Sequence, residues 1–324
     1  MVMAQSLFMS LKKSFPGCLI DVLASAWSLP LLGRMPEVSK AIIMPLSHGQ
    51  FGLTARIKFG RQLRSERYDQ AIILPNSWKS ALIPFFANIP LRTGYRGECR
   101  WGLLNDIRRL DKNAFTMIVQ RFVALGLPQN AVPPDYQHPR LPFNKSGQEA
   151  VIQKFVLTIT DKILALSPGA EYGPSKRWPS DYFAKVAQAK IKQGWQVWLL
   201  GSEKDKETAV AINKATEHQC RDFIGHTSLI EAVDLMSLAN TVITNDSGLM
   251  HLAAAMDKNI IAIYGPTPLE FTPPLSTKAQ TVRLNLPCAP CRQRVCPLYP
   301  VGHPDHNKCL TGIKPEQILE LIGD

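Results

Sequence analysis

Hydrophobic positions along this chain form short apolar runs that alternate with longer amphipathic segments. Such alternation is typical of parallel strands joined by crossover helices. In the first half the pattern predicts strands over residues 19–23, 41–44 and 71–74. It predicts helices over residues 56–67, 77–86 and 112–125. A proline-rich, weakly patterned stretch over 127–144 then reads as a linker.

The second half repeats the alternation with clearer boundaries. The pattern predicts strands over 163–166, 196–200, 241–244 and 260–264, and helices over 180–193, 228–238 and 247–256. We expect Ser180 to cap the first of these helices and Gly194 to end it. The sequence therefore predicts two α/β domains with a cleft between them, where ligands usually bind.

The amino terminus departs from this order, because the pattern predicts a helix over residues 1–13. A doubly wound domain normally opens with a strand. We therefore expect either an unusual topology or a first strand that is missing from this sequence. The apolar stretch precedes the lysines, which is the reverse of a secretory signal, and no run approaches the ~18 apolar residues of a membrane span.

Composition narrows the class of protein. The chain has 324 residues, of which 45% are hydrophobic and 19% charged, which excludes a disordered chain. A net charge of +11 favours a polyanionic partner or an anionic surface. The basic residues are dispersed and no nucleic-acid motif occurs, so we expect no nucleic-acid partner. Seven cysteines without a signal argue against a secreted disulfide scaffold.

The most informative segment runs from a β-branched strand into residues 245–248 (NDSG) and then into a helix. Small residues let a ligand approach the backbone, and free amides at a helix start favour an anion such as a diphosphate. Alternatively, Asp246 or Ser247 is a plain helix cap. His251, one turn further on, is either a ligand-site residue or a structural histidine.

Two further strand ends carry charge. After the strand at 163–166, Lys176 and Arg177 could serve a phosphorylated ligand, or they could be a solvated basic pair. After the strand at 196–200, Asp205 or Glu203 suits a ribose hydroxyl pair, or simply a solvated helix start. Neither a Walker loop nor a G-x-G-x-x-G occurs, which disfavours P-loop NTPases and conventional dinucleotide dehydrogenases.

Four cysteines, Cys288, Cys291, Cys296 and Cys309, lie close together in sequence. A C-x-x-C pair followed by two more cysteines could hold a structural zinc ion. The twelve-residue gap between the last two is unusual for a zinc ribbon. Reduced free thiols therefore remain an open alternative, with disulfides less favoured in a reducing compartment.

Six segments together resemble the lipopolysaccharide heptosyltransferases that use ADP-heptose, and most closely the heptosyltransferase II branch. They are residues 74–81 (LPNSWKSA), 90–98 (PLRTGYRGE), 102–106 (GLLND), 168–179 (PGAEYGPSKRWP), 244–251 (TNDSGLMH) and 264–276 (YGPTPLEFTPPLS). Many members also carry a cysteine-rich segment like residues 288–309.

The resemblance implies a GT-B fold, in which two Rossmann-like domains face each other across a cleft. An acceptor domain would span residues 1–145, and a donor domain would span residues 146–312. The C-terminal segment 313–324, with a helix over 314–322, would pack back on the acceptor domain. The donor site would comprise Glu171, Tyr172, Lys176, Asp205, Asp246, Ser247, Gly248, Leu249 and His251. Lys176 would contact the diphosphate and stabilise the leaving group. Acceptor contacts are expected from Asn76, Ser77, Lys79, Arg92 and Arg96, with Arg100, Arg108 and Arg109 on the same domain.

The implied reaction transfers heptose with inversion from ADP-L-glycero-D-manno-heptose to the first heptose of the Kdo-lipid A core. It would need no catalytic metal or cofactor, and would take place at the cytoplasmic face of the inner membrane with the protein bound peripherally. Family members place the expected base, the aspartate of a Gly-Asp turn, just before the segment that corresponds to residues 1–13. This chain starts after it, so we expect poor activity of the chain as given. A transferase for another nucleotide sugar, or an inactive donor-binding module, are the alternatives.

Overall fold

The chain divides into two compact units. The computed structural model describes residues 1–47, 49–128, 134–160 and 162–322. Residues up to Gln137, apart from Val2, belong to the first unit, and the second begins at His138. This division falls within the proline-rich stretch predicted as a linker, of which residues 129–133 lie outside the described part.

The first unit contains five helices and five strands among its described residues. They are α1 (Gln5–Ser14), β1 (Asp21–Ala24), α2 (Leu29–Leu32), β2 (Lys40–Ile43), α3 (Leu53–Gln62), β3 (Gln70–Ile73), α4 (Leu82–Phe86), β4 (Leu91–Tyr95), β5 (Asp106–Arg108) and α5 (Ile118–Leu125). The predicted opening helix is confirmed as α1, which follows a 3-10 turn over Val2–Ala4.

The strands of the first unit form two separate sheets. β1 pairs in parallel with β2, and β3, β4 and β5 form a parallel three-stranded sheet in that order. Among the described residues no ladder joins the two sheets. The two sheets are connected by a side-chain hydrogen bond instead. The Tyr68 hydroxyl, two residues before β3, donates to Oδ2 of Asp21 in β1 over 2.7 Å.

Sequence patterning missed part of this unit. β4 and β5 were not predicted, and the helix expected over 112–125 begins only at Ile118. The Asp111 carboxylate accepts the backbone N–H groups of Asn113 and Ala114, which stabilises a turn rather than a helix at that point.

The second unit has the element order of a doubly wound domain. It comprises α6 (Lys145–Lys154), β6 (Ile163–Ser167), α7 (Ser180–Lys192), β7 (Gln196–Leu199), α8 (Lys206–Ala215), β8 (Arg221–Asp222), α9 (Leu229–Leu238), β9 (Thr241–Asn245), α10 (Gly248–Ala255), β10 (Asn259–Ile263), β11 (Ala279–Val282), α11 (Lys308–Thr311) and α12 (Pro315–Ile322). Every strand and helix predicted here is confirmed within a few residues. Ser180 is not the cap, because Pro179 occupies that position and Ser180 is the first helical residue.

All six strands of this unit run parallel, in the order β11-β10-β9-β6-β7-β8. The chain builds outward from β6 through β7 to β8, and then returns to place β9 on the other side of β6. The carboxyl ends of β6 and β9 therefore flank a topological switch point, which is where open α/β sheets bind ligands.

The buried core of the second unit explains why its elements follow the sequence pattern so closely. All five residues of β6 and of β9 are buried, as expected of strands covered by helices on both faces. Trp178, Phe183 and Trp198 are among the largest fully buried side chains of the chain. Ile313 and Ile318 join the same core, so the structure groups the terminal helix α12 with this unit, where it packs against α7.

No helix within the described ranges combines the length and apolarity that a bilayer crossing requires.

Candidate active site

Two loops meet at the switch point of the second unit. One leaves β6 and runs from Pro168 to Trp178, and the other leaves β9 and leads into α10. Because β6 and β9 are hydrogen-bonded neighbours, with Ser167 in register with Thr244, their following loops are side by side. The two sequence segments predicted to bind a donor therefore come together at one edge of the sheet.

An ion pair joins these loops. Lys176 Nζ lies 2.6 Å from Asp246 Oδ2, and both side chains are largely buried. The Thr267 hydroxyl, which follows β10, donates to the same carboxylate oxygen over 2.5 Å. Asp246, two residues before the start of α10, thus fixes the position of the Lys176 ammonium group.

Asn245 is a further residue that holds the site together, and the sequence analysis did not single it out. Its side chain is fully buried, donates to the Pro168 carbonyl over 2.6 Å and accepts the Trp178 backbone N–H over 3.1 Å. One amide side chain at the end of β9 thereby holds both ends of the loop that carries Lys176. Its place between a β-branched strand and Asp246 was the available signal.

The start of α10 is open to a ligand. Ser247 occupies the helix N-cap position, but its side chain makes no capping hydrogen bond and contacts Thr244 Oγ1 at 3.3 Å instead. Ser247 therefore holds the N-cap position without capping the helix through its side chain. A Cβ added to Gly248 would meet nothing within 4 Å, and the neighbouring Leu249 is half-buried. Free backbone N–H groups at such a start attract anions.

Ser167, at the carboxyl end of β6, is 1% exposed, and its hydroxyl has no hydrogen-bond partner among the described residues. A buried hydroxyl without a partner is costly. Its position at the switch point is consistent with a polar ligand there.

His251 is the fourth residue of α10. Burial lowers its pKa to about 4, although the nearby Asp246 carboxylate acts in the opposite direction. The imidazole is therefore neutral at physiological pH. A neutral histidine can donate or accept one hydrogen bond at each ring nitrogen, but it contributes no positive charge toward a diphosphate.

Glu171 and Tyr172 lie at the exposed side of the β6 loop. Glu171 forms an ion pair with Lys204, and both side chains are exposed. The Tyr172 hydroxyl donates to the Arg292 carbonyl over 2.7 Å, and Lys176 Nζ lies 4.9 Å from the centroid of its ring. Tyr172 therefore contacts the cation that was predicted to bind the diphosphate.

Asp205, the predicted ribose contact, is 6% exposed and already hydrogen-bonded. Its Oδ2 accepts from Ser202 N and Ser202 Oγ, and its Oδ1 lies 3.5 Å from Arg177 Nη2. A Cβ on Gly169 would lie 2.4 Å from this carboxylate, so only glycine lets the β6 loop pass here. The alternative candidate Glu203 is exposed and paired with Lys206.

The segment between Cys291 and Cys296 forms a support for the β6 loop that sequence reasoning missed. Ser175 Oγ donates to the Gln293 carbonyl and Ser175 N to the Arg294 carbonyl, over 2.6 and 3.2 Å. The Arg292 N–H in turn donates to the Pro266 carbonyl over 2.7 Å. We call residues 292–294 the strap. No local signal indicates it, because its contacts reach about 120 residues back along the chain.

The first unit places the predicted acceptor residues around β3 and β4. Asn76 is exposed, and Arg100 Nη2 lies 3.4 Å from its Oδ1. Ser77 precedes the 3-10 turn Trp78–Ala81, in which its carbonyl accepts the Ser80 hydroxyl. Lys79 Nζ reaches the Gln50 carbonyl at 3.5 Å. Arg96 is exposed, with its guanidinium over the Trp101 ring at 5.4 Å.

Three arginines of this group have structural partners. Arg92 donates to the carbonyls of Leu103 and Ile89 over 2.7 and 2.5 Å. Arg100 is 2% exposed and donates to the Pro75 and Tyr95 carbonyls. Arg108 pairs with Asp106 at 2.8 Å. Their guanidinium groups are therefore already engaged within the unit. Of the other basic residues predicted on this domain, Arg96 and Arg109 are exposed and Lys79 is half-buried.

All seven cysteines are free thiols. Across the described ranges, no three His, Cys, Asp or Glu side chains are placed to hold one metal ion. The four clustered cysteines nevertheless influence one another: burial and the neighbouring Cys291, Cys288 and Cys296 raise the pKa of Cys309 to about 11. The structural zinc ion stays a prediction, which metal analysis of protein purified under reducing conditions would test.

Comparison with known proteins gives consistent matches. The model of glycosyltransferase family 9 (heptosyltransferase) matches residues 56–301. Lipopolysaccharide heptosyltransferase 2 of Salmonella typhimurium is 47% identical, over 99% of this chain and 94% of that protein. The Escherichia coli protein of the same name is 46% identical over 100% and 94%.

Among solved structures, E. coli ADP-heptose LPS heptosyltransferase II superposes with a TM-score of 0.87 at 41% identity, covering 99% of this chain and 93% of that one. This match bears out the GT-B type of fold. A glycosyltransferase family 9 structure from Veillonella parvula, at 20% identity, shares the fold with a TM-score of 0.81. The chain belongs to glycosyltransferase family 9, the heptosyltransferase family, and is a glycosyltransferase.

Proposed function

We propose that this chain transfers heptose from ADP-heptose to the first heptose of the Kdo-lipid A inner core of lipopolysaccharide. The observation that carries the proposal is the Lys176–Asp246 pair at the switch point, next to the uncapped start of α10. The relatives named as heptosyltransferase 2, which match nearly the whole chain, support the choice of sugar and acceptor.

The proposed chemistry is an inverting displacement. The acceptor hydroxyl attacks the anomeric carbon, the bond from that carbon to the diphosphate oxygen breaks, and ADP leaves with both electrons of that bond. A base takes the hydroxyl proton. Lys176 and the free N–H groups of α10 would stabilise the negative charge that develops on the leaving oxygen. Removal of one such preorganised donor typically costs ~3 kcal/mol of barrier.

The proposed acceptor carries Kdo carboxylates and lipid A phosphates, and the first unit has the matching charge. It contains 17 Lys and Arg against 8 Asp and Glu, a net charge of +9 out of the +11 of the whole chain. This excess supports a peripheral position at the cytoplasmic face of the inner membrane. Of the predicted acceptor residues, the exposed Arg96 is the best placed to meet an anionic sugar.

Turnover with a panel of donors tests the proposal. We expect transfer from ADP-heptose to a heptosyl-Kdo2-lipid A acceptor, and little or none from ADP-glucose or UDP-sugars. Faster transfer from one of those sugars would identify a different transferase. Calorimetric binding of ADP without transfer from any donor would instead indicate a donor-binding module.

A matched pair of lysine variants assigns the leaving-group role. Lys176→Ala should lower kcat by roughly a hundredfold. Lys185→Ala removes an exposed lysine of α7 and should leave kcat unchanged. Equal kcat values for the two variants would remove Lys176 from the mechanism.

A further inference from the structure

Most of the cations around the switch point are already neutralised by carboxylates. Lys176 is paired with Asp246, Arg177 with Asp205, and Lys204 with Glu171. Each pair contributes no net charge to the site. A nucleotide diphosphate carries at least two negative charges, and more charge develops on it as the sugar leaves. The site as predicted from the sequence therefore lacks the positive charge that its proposed ligand requires.

Arg294, in the strap, supplies a cation without such a partner. Its side chain is exposed, and among the described residues no carboxylate lies within ion-pair distance of it. Its guanidinium carbon lies 5.3 Å from the centroid of the Tyr172 ring, the same ring that Lys176 Nζ contacts at 4.9 Å. The Lys176 and Arg294 side chains therefore both lie beside the Tyr172 ring.

The backbone of Arg294 is fixed by the same loop. Its carbonyl accepts the Ser175 N–H, and a Cβ on Gly173 would lie 2.8 Å from that carbonyl oxygen. The strap and the β6 loop are therefore in direct contact at Arg294. A planar guanidinium is well suited to bind phosphate oxygens with two parallel hydrogen bonds, which an ammonium group cannot do.

We infer that Arg294 is a donor-binding residue that contacts the diphosphate of the nucleotide sugar. This inference rests on the proposed function and adds to it a residue of the cysteine-rich segment. Lys176, held by Asp246, would provide a fixed contact, and Arg294 would provide the unpaired positive charge. Tyr172 would keep the two side chains at a set separation.

Calorimetric titration of the full chain with ADP and with adenosine tests this assignment. Arg294→Ala should weaken ADP binding roughly tenfold or more, since hydrogen bonds to charged groups contribute about 1.5 to 3 kcal/mol. Adenosine binding should not change, because adenosine lacks phosphates. Arg294→Lys should retain part of the ADP affinity. Arg283→Ala, which removes an exposed arginine paired with Glu270, is the control and should match the wild type.

The outcomes separate the two proposals. If Arg294→Ala binds ADP as well as the wild type does, Arg294 does not contact the diphosphate. If it loses ADP and adenosine affinity equally, Arg294 only supports the loop, and the inference is again overturned. If the wild-type chain binds neither ADP nor ADP-heptose, the proposed function itself fails and this inference with it.

Discussion

Buried polar side chains do most of the positioning at the ends of β6 and β9. Asn245 and Asp246 are nearly inaccessible, and each bonds to a loop distant in sequence. Such groups are stabilising only while their partners stay in place, because an unsatisfied buried group costs about 1 to 3 kcal/mol. Their replacement should therefore affect folding and donor binding together.

Asn245→Ala should lower the free energy of unfolding by about 2 to 4 kcal/mol, because it leaves the Pro168 carbonyl and the Trp178 N–H without their partner. Urea denaturation measures the change. Asn259→Ala, at an exposed position of β10, should change it by less than about 0.5 kcal/mol. Similar losses in both variants would contradict the role of Asn245.

His251 should make stability depend on pH. Its pKa of about 4 in the folded chain lies below the ordinary value of 6.5, so the unfolded chain binds a proton first as the pH falls. The contribution of neutral His251 to the free energy of unfolding is fully present above pH ~6.5. It falls by up to about 3 kcal/mol as the pH is lowered from there to ~4. His251→Gln should remove this part of the pH dependence. Parallel stability curves for wild type and variant from pH 4 to 7 would show that His251 does not titrate this way.

At the scale of elements, the two units differ in how their strands are covered. The central strands β6 and β9 are buried throughout, whereas β1 and β2 are mostly half-exposed. β1 has one described strand partner, and its further link to the other sheet is the Tyr68–Asp21 hydrogen bond. Local opening is easier where backbone hydrogen bonds are exposed.

Native-state hydrogen exchange should therefore distinguish the sheets. Amide protons of β6 and β9 should exchange slowest, at rates set by global unfolding, and those of β1 and β2 at least tenfold faster. Tyr68→Phe should speed exchange in β1 further while β9 stays unchanged. Equal protection of β1 and β9 would show that the small sheets are as stable as the large one.

The strands of the second unit could be predicted because each is a continuous apolar run ended by glycine or a polar cluster, as at Gly201 and Asn245. β4 and β5 could not, because Arg92, Thr93 and Asp106 within them are polar and find partners only in the folded unit. The site could be predicted where a sequence motif follows the end of a strand, as for Lys176 after β6 and Asp246 after β9. The strap was not, because it takes part in these hydrogen bonds through its backbone carbonyls and one N–H, which any residue type could supply, and its partners are distant in sequence.

At the scale of the whole molecule, charge is the main asymmetry. The first unit carries +9 and the second +2. On α3, Lys58 and Arg61 are exposed basic residues of the first unit. Basic residues near an anionic bilayer contribute about 1 kcal/mol each.

Vesicle cosedimentation should show this preference. We expect binding to vesicles with anionic lipid, little binding to neutral vesicles, and a steep loss with added salt because exposed charges are screened. The double variant Lys58→Glu/Arg61→Glu should bind at least tenfold less. Lys192→Glu/Lys214→Glu makes the same charge change on exposed sites of the second unit and should bind like the wild type. Equal loss in both variants would point to net charge alone.

The cysteine-rich segment has a chemical consequence beyond its shape, because its thiols are not equally nucleophilic. Partial burial opposes ionisation of Cys296, but backbone N–H groups of Asn307, Tyr299 and Leu298 donate to its sulfur and lower its pKa. Cys309, with a pKa of about 11, remains a thiol. Iodoacetamide at neutral pH should therefore alkylate Cys296 at least tenfold faster than Cys309, as followed by peptide mass spectrometry; equal rates would contradict these pKa shifts. An electrophile or oxidant would thus react with Cys296, two residues from Arg294, before it reacts with Cys309.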